Sequence, residues 1–267
     1  MAKRKYEESN IQAFAEAIRE KTGSEQTYKV SDMASGVNEV YEAGKQKEWN
    51  DFWDSFQNYG NRTNYAYAFY NNEYSGWFQW NKDTIKPKYD LIPTNANRMF
   101  YSVKNIVDLG EHLKEFGVKL DLSKATNMAL FCPHGDFVKL PVLDCSNATT
   151  IDNAFNYCYE LETIEKLVLT EKITSISGPF VGCSKFKNII IEGVIAPSIS
   201  FSYSPLTVAS LKSIITHLKD YSGTDKEFTY TVTFSSACIE TLEAEGATSP
   251  NGNLWTDYIL DLGWNYN

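Results

Sequence analysis

The stretches "AFNYCYELETI" (Ala154–Ile164) and "PFVGCSKFKNI" (Pro179–Ile189) share one pattern: phenylalanine, then cysteine three residues on, then apolar residues at two further steps of three. One such unit is too small to bury its own apolar face. Stacked units share a continuous core, so the question is whether the pattern recurs.

It does. Two looser copies precede, "MFYSVKNIVDL" (Met99–Leu109) and "LFCPHGDFVKL" (Leu130–Leu140). Aligned on their phenylalanines, the copies place Phe100, Phe131, Phe155 and Phe180 in one column. Three residues on stand Val103, His134, Cys158 and Cys183. Six on stand Ile106, Phe137, Leu161 and Phe186, and nine on Leu109, Leu140, Ile164 and Ile189. Every position except His134 is apolar or a thiol. The phenylalanines lie 31, 24 and 25 residues apart, against the range of about 20–29 residues for leucine-rich repeats. The longer first interval holds "GEHLKEFG" as an insertion. A leading copy is read around Phe69, another 31 residues upstream. Short strands follow the copies at "KLDLSKAT", "VLDCSNAT", "LVLTEKIT" and "IIIEGVI". One strand per unit predicts a parallel sheet.

Texture divides the chain into 1–60, 61–200 and 201–267. The first part reads as helical: Ser9 caps a stripe of Ile11, Phe14, Ala15 and Ile18 that stops at Gly23. A second helix follows Ser31, with Met33, Val37, Val40 and Tyr41 on one face. The last part has a helical stripe of Leu206, Leu211, Ile214, Ile215 and Leu218, stopped at Gly223. After it come an alternating strand, "FTYTVTF", and two short helices, "SSACIETLEAEG" and "NLWTDYILDLG". The expected fold is α/β: a short leucine-rich solenoid of parallel strands, an N-terminal helical module and an α+β C-terminal cap.

Bulk properties exclude some partners. The net charge of −9 over 267 residues disfavours nucleic acid, because binding a polyphosphate draws its affinity from released counterions. No run of about 18 apolar residues suggests a membrane span. No apolar segment follows "MAKRKYEESN", so no secretory signal is expected. Five cysteines, odd in number and widely spaced, read as free thiols of a reducing compartment.

The candidate chemistry is thin. Cys132 and His134 in "FCPHG" are too few for zinc, which takes about four ligands. No metal or cofactor is therefore expected. Cys158 could be a nucleophile, but its column holds Cys183, Val103 and His134, which favours packing. His112 and His217 sit in no catalytic motif, and G-x-S-x-G, the P-loop and H-E-x-x-H are absent. The pairs Asp51/Asp54 and Glu160/Glu162 read as solvated faces rather than glycosidase carboxylates. No catalytic residue is assigned. The aromatic segment from Trp49 to Trp80 reads first as a plug for the first repeat. If it binds a ligand, Tyr74, Trp77 and Trp80 are the candidates, since flat rings beside amides suit sugars and protein interfaces.

The pattern at Phe155–Ile164 and Phe180–Ile189 resembles the BspA-type leucine-rich repeat, over about residues 65–200. That resemblance implies a right-handed solenoid displaying a surface for protein or glycan contact, without catalytic apparatus. The segment "NIQAFAEAIREKTGSEQTYKVSDMASGV" (Asn10–Val37) is similar to a helical module of tail-associated proteins in phages and prophages of gut Firmicutes. "LTVASLKSIITHLKDYSGT" (Leu206–Thr224) is similar to their C-terminal cap, from which "TSPNGNLWTDYILDL" departs as an enlarged insertion. The resemblance implies a non-enzymatic virion protein of the tail or baseplate, assembled in the bacterial cytoplasm. Its N-terminal helices would meet other virion proteins, its repeats a host-surface protein or glycan, and a trimer is the symmetry tail fibres use. Two other readings stand beside it: a cell-surface adhesin of the same repeat type, and a glycan-active enzyme.

Overall fold

A computed structural model describes residues 65, 68, 69, 85, 87 and 89–267. The helices expected before residue 60, and Tyr74, Trp77 and Trp80, lie outside the described residues. The described part is mixed helix and strand, with two three-stranded parallel sheets.

The first sheet has the order β1 (Lys139–Asp144), β2 (Thr163–Leu169), β3 (Asn188–Gly193). Its register aligns Leu140, Ile164 and Ile189, and then Leu143, Leu167 and Ile191. All six side chains are buried. Each strand thus lays the same apolar residues on the same face, and stacking them is what removes them from water. On the opposite face Lys139 meets Glu165 at 2.6 Å and Asp108 at 3.3 Å, and Lys166 meets Glu192 at 2.6 Å. The strands begin earlier than the sequence suggests, at Lys139, Thr163 and Asn188. "KLDLSKAT" contributes only a parallel bridge, Leu91 to Leu120.

The first interval is longer because it holds α1 (Leu109–Glu115). Asp108 caps it, accepting from Glu111 N at 3.0 Å. Leu109, His112 and Leu113 form its buried stripe, and His112 Nε2 lies 2.7 Å from the Ile85 carbonyl.

Outside the strands, copies are tied by a second parallel ladder linking Asn95, Asn127, Thr150 and Ser175. Beside it the hydroxyls of Thr126, Thr149 and Thr174 each donate to the carbonyl of the preceding member of the series Thr94, Thr126, Thr149, at 3.1, 3.1 and 3.4 Å. Upstream, Phe69 N donates to Met99 O at 2.8 Å, and its ring stacks on Phe100 at 5.1 Å.

This ladder corrects the alignment of the second copy. Phe100 N donates to Phe131 O, Cys132 N to Ala154 O, and Phe155 N to Pro179 O. Each acceptor is the residue just before the next equivalent position. Cys132, not Phe131, therefore stands with Phe100, Phe155 and Phe180. Phe131 stands with Met99, Ala154 and Pro179, and is buried there. Likewise the core column is Val103, Gly135, Cys158 and Cys183. In each copy this residue's N–H closes a turn onto the carbonyl three residues back, at 3.3, 3.3, 3.2 and 3.1 Å. His134 is not a core residue. It is half-buried and stands with Ser102, Tyr157 and Gly182, all at positive φ (54°, 57°, 56° and 77°). The second copy then skips one residue, and the columns from Phe137 onward agree with the expected alignment. The Phe137 ring lies where Gly135 lacks a side chain: a Cβ there would sit 2.5 Å from it.

The second sheet, β4 (Ile199–Phe201), β5 (Thr231–Phe234) and β6 (Asn265–Tyr266), continues the apolar stack. Phe180 meets Phe201 at 4.9 Å, and Phe201 meets Phe234 at 6.0 Å. α2 (Val208–Ile215), α3 (Ser236–Ala244) and α4 (Trp255–Asp261) lie where the sequence places helices. α2 ends at Ile215, well before Gly223. Ile195 N takes the His217 carbonyl at 2.7 Å and Lys219 N takes the Ile195 carbonyl at 2.9 Å, which draws the chain out of the helix. Among the described residues no helix is long and apolar enough to cross a membrane.

Candidate functional site

The cysteines are part of the packing. All five are buried and free. Cys158 Sγ donates to the Cys132 carbonyl at 3.0 Å, and Cys183 Sγ to the Phe155 carbonyl at 3.1 Å. Each thiol therefore links its copy to the one before. Burial pushes the Cys145 thiol up to about 12, helped by the Asp144 charge. Burial likewise raises Cys183, and raises Cys132 well above the usual thiol range, the latter reinforced by the hydrogen bond to Cys158. A thiol held protonated and away from solvent is a poor nucleophile and a poor metal ligand. Among the described residues no three His, Cys, Asp or Glu side chains converge on a point that could hold a metal ion.

The repeat-core residues named from the sequence divide accordingly. Phe100, Val103, Phe131, Phe155, Cys158, Phe180 and Cys183 are all buried. His134 is displaced to the turn surface, where it helps build a cleft.

That cleft has a volume of about 210 Å³ and is lined by residues of copies one, two and three. An aromatic ladder across copies contributes His134, Tyr157 and Tyr159 to its wall. The Tyr101 and His134 rings lie 5.7 Å apart, and His134 stacks on Tyr157 at 4.9 Å with 27° between the planes. Tyr159 follows at 6.0 Å from Tyr157. The left-handed backbone at His134 and Tyr157 holds these rings out of the core. Gly182 makes room beneath them, since a Cβ there would come within 2.8 Å of the Tyr157 ring. Tyr157 is 37% exposed and Tyr159 55%.

The remaining wall is charged. Lys104 Nζ donates to the His134 carbonyl at 2.8 Å and to Asp136 at 3.1 Å. Glu160 faces the cleft and pairs with Lys185 at 2.6 Å. The charges are therefore matched pair by pair. Each carboxylate still keeps acceptor capacity, because an ionised carboxylate has about four lone-pair sites. Chemically, the arrangement offers flat rings, matched charges and hydrogen-bond acceptors, which suits binding.

A second depression, about 340 Å³, lies between Leu169–Lys172 and Gly193–Val194. Its polar groups are already committed: Thr170 Oγ1 to the Ser146 carbonyl at 2.9 Å, Glu171 to Lys219 at 2.6 Å, and Lys172 to Asn147. It offers a ligand little beyond apolar contact.

Spacing in the sequence does not reveal this cleft, because it puts His134 in the core column and Glu160 on a solvated face. One signal was available. Thr94, Thr126, Thr149 and Thr174 stand six residues before Phe100, Cys132, Phe155 and Phe180. Alignment on the threonines moves His134 onto Tyr157. No family model, curated protein or solved structure matches the chain.

Proposed function

We propose that the chain is a BspA-type leucine-rich-repeat solenoid that works by binding rather than catalysis, as a tail- or baseplate-associated protein of a phage or prophage virion. The observation that carries the repeat reading is the parallel pairing of equivalent positions, copy after copy, in two separate ladders. Stacking of this kind yields a surface on which side chains recur at fixed intervals, the arrangement repeat proteins use for recognition. The burial of all five thiols, and the hydrogen bond from Cys158 to the copy before, support a structural role for the residues that looked most like catalysts. The virion assignment rests on the resemblance of the flanking segments. In this reading the N-terminal helices attach the chain to other virion proteins, and the repeats meet the host surface.

The test is prophage induction in a strain carrying the gene, followed by density-gradient purification of particles and mass spectrometry. Recovery of the chain at constant stoichiometry with tail proteins supports the proposal. Recovery in the cell-wall fraction instead, with none in particles, overturns it in favour of the adhesin reading.

A further inference from the structure

We infer that the cleft bounded by Lys104, His134, Asp136, Tyr157, Tyr159 and Glu160 binds one uncharged sugar ring, a hexose or N-acetylhexosamine of a surface glycan. This rests on the reading of the repeats as a binding surface and names the ligand class.

Size comes first. A cleft of about 210 Å³ is smaller than the roughly 300–1,000 Å³ of sites for drug-sized molecules and cofactors. It accommodates a single ring, with the rest of a polymer left in solvent. Charge comes second. Lys104 is neutralised by Asp136, and Glu160 by Lys185, so a charged ligand would find no uncompensated partner. Chemistry comes third. Tyr159, the most open ring of the cleft, offers an apolar face to the C–H side of a sugar. The spare lone pairs of Asp136 and Glu160 can accept from hydroxyls at its edge.

A peptide fits less well. Extended peptides commonly bind by adding a strand to a free sheet edge. Here the backbone is already paired between copies: Ser102 N to Pro133 O at 2.8 Å, His134 N to Asn156 O at 3.0 Å, and Tyr157 N to Val181 O at 2.6 Å. At the cleft these N–H groups are therefore not open for a strand to join.

A single ring in a shallow cleft binds with a Kd on the order of millimolar, so the assay must detect weak binding. Saturation-transfer difference NMR on the full chain, with glucose, galactose, N-acetylglucosamine and N-acetylgalactosamine, is suitable. Transfer is expected to at least one sugar. Tyr159→Ala should weaken that binding about fivefold, and Glu160→Gln or Asp136→Asn about tenfold. These side chains are partly exposed, Asp136 at 42%, Glu160 at 50% and Tyr159 at 55%, and an unchanged thermal midpoint would confirm that each variant folds. Two results would overturn the inference: no transfer to any of the sugars, or transfer unaffected by all three substitutions. Transfer to a neutral tripeptide such as N-acetyl-Gly-Phe-Gly amide, and to none of the sugars, would assign the cleft to protein contact and also overturn it. The two proposals fail separately. A chain found in particles that gives no transfer refutes only the sugar site. A chain that gives transfer but never enters particles refutes only the virion role.

Discussion

The imidazole of His134 lies against the ring of Tyr157, 4.9 Å away and nearly parallel. The two residues are 23 positions apart in the chain and occupy the same left-handed position of successive copies. This pairing fixes how the second copy aligns with the third. It also places an aromatic surface outside the core.

Substitutions at His134 separate the two alignments. In a core column, valine would be tolerated in place of histidine. At φ 57° a β-branched residue is strained and the stacking is lost. His134→Val should therefore destabilise the protein by about 1–2 kcal/mol. His134→Gly relieves the backbone while losing the same ring contact, and should lie within about 1 kcal/mol of wild type. Urea unfolding of the two variants decides the matter. A valine variant as stable as the glycine variant would restore His134 to the core.

The hydrogen bond from Cys158 to the Cys132 carbonyl refines the role of that thiol. Cys158→Val keeps the volume but removes the donor. The carbonyl retains the Gly135 N–H at 3.3 Å, so the cost should be about 1 kcal/mol. In the native protein none of the five thiols should react with Ellman's reagent, and all five should react in urea. Rapid reaction of Cys158 in the folded state would return it to the list of candidate nucleophiles.

Among the described glycines Gly193 is the least replaceable. Its φ is 90°, and an added Cβ would lie 2.0 Å from the Leu169 carbonyl oxygen in the neighbouring strand. Backbone cannot yield as a flexible side chain can. Gly193→Ala should cost about 3 kcal/mol or more. Gly223→Ala meets no atom within 4 Å and bears only the cost of φ 67°, about 1 kcal/mol. Comparable thermal midpoints for the two variants would count against the parallel pairing of β2 with β3.

Stability should fall in alkali. The folded Cys145 thiol is raised to about 12, whereas in the unfolded chain it ionises near pH 8.5. The unfolded state then binds fewer protons than the native state, and the slope of stability against pH is negative. The contribution of Cys145 is complete below about pH 8.5 and is lost as pH rises towards about 12. By pH 10 this one group costs about 2 kcal/mol. Urea midpoints at pH 7.5 and pH 10 should show the drop, and Cys145→Val should reduce it. An equal drop in the variant would assign the effect to other groups.

The three-residue rhythm of Phe155, Cys158, Leu161 and Ile164, repeated at Phe180 to Ile189, was enough to foresee stacked units and parallel strands. The reason is physical: apolar residues at one recurrent spacing can be buried only against their own equivalents. Local signals of the same kind placed α2 to α4 and β5, because caps and periodicity act within a few residues. The exchange of His134 for Gly135 in the core was not legible from spacing. A one-residue deletion in a turn leaves the apolar count unchanged, and Phe137 supplies the missing volume from two residues away. Only the pairing of backbone N–H and C=O groups between copies, a relation across more than twenty residues, determined that register. The same pairing brought Lys104, His134, Tyr157 and Glu160 around one cleft. Their separation in sequence hid a neighbourhood that stacking alone creates.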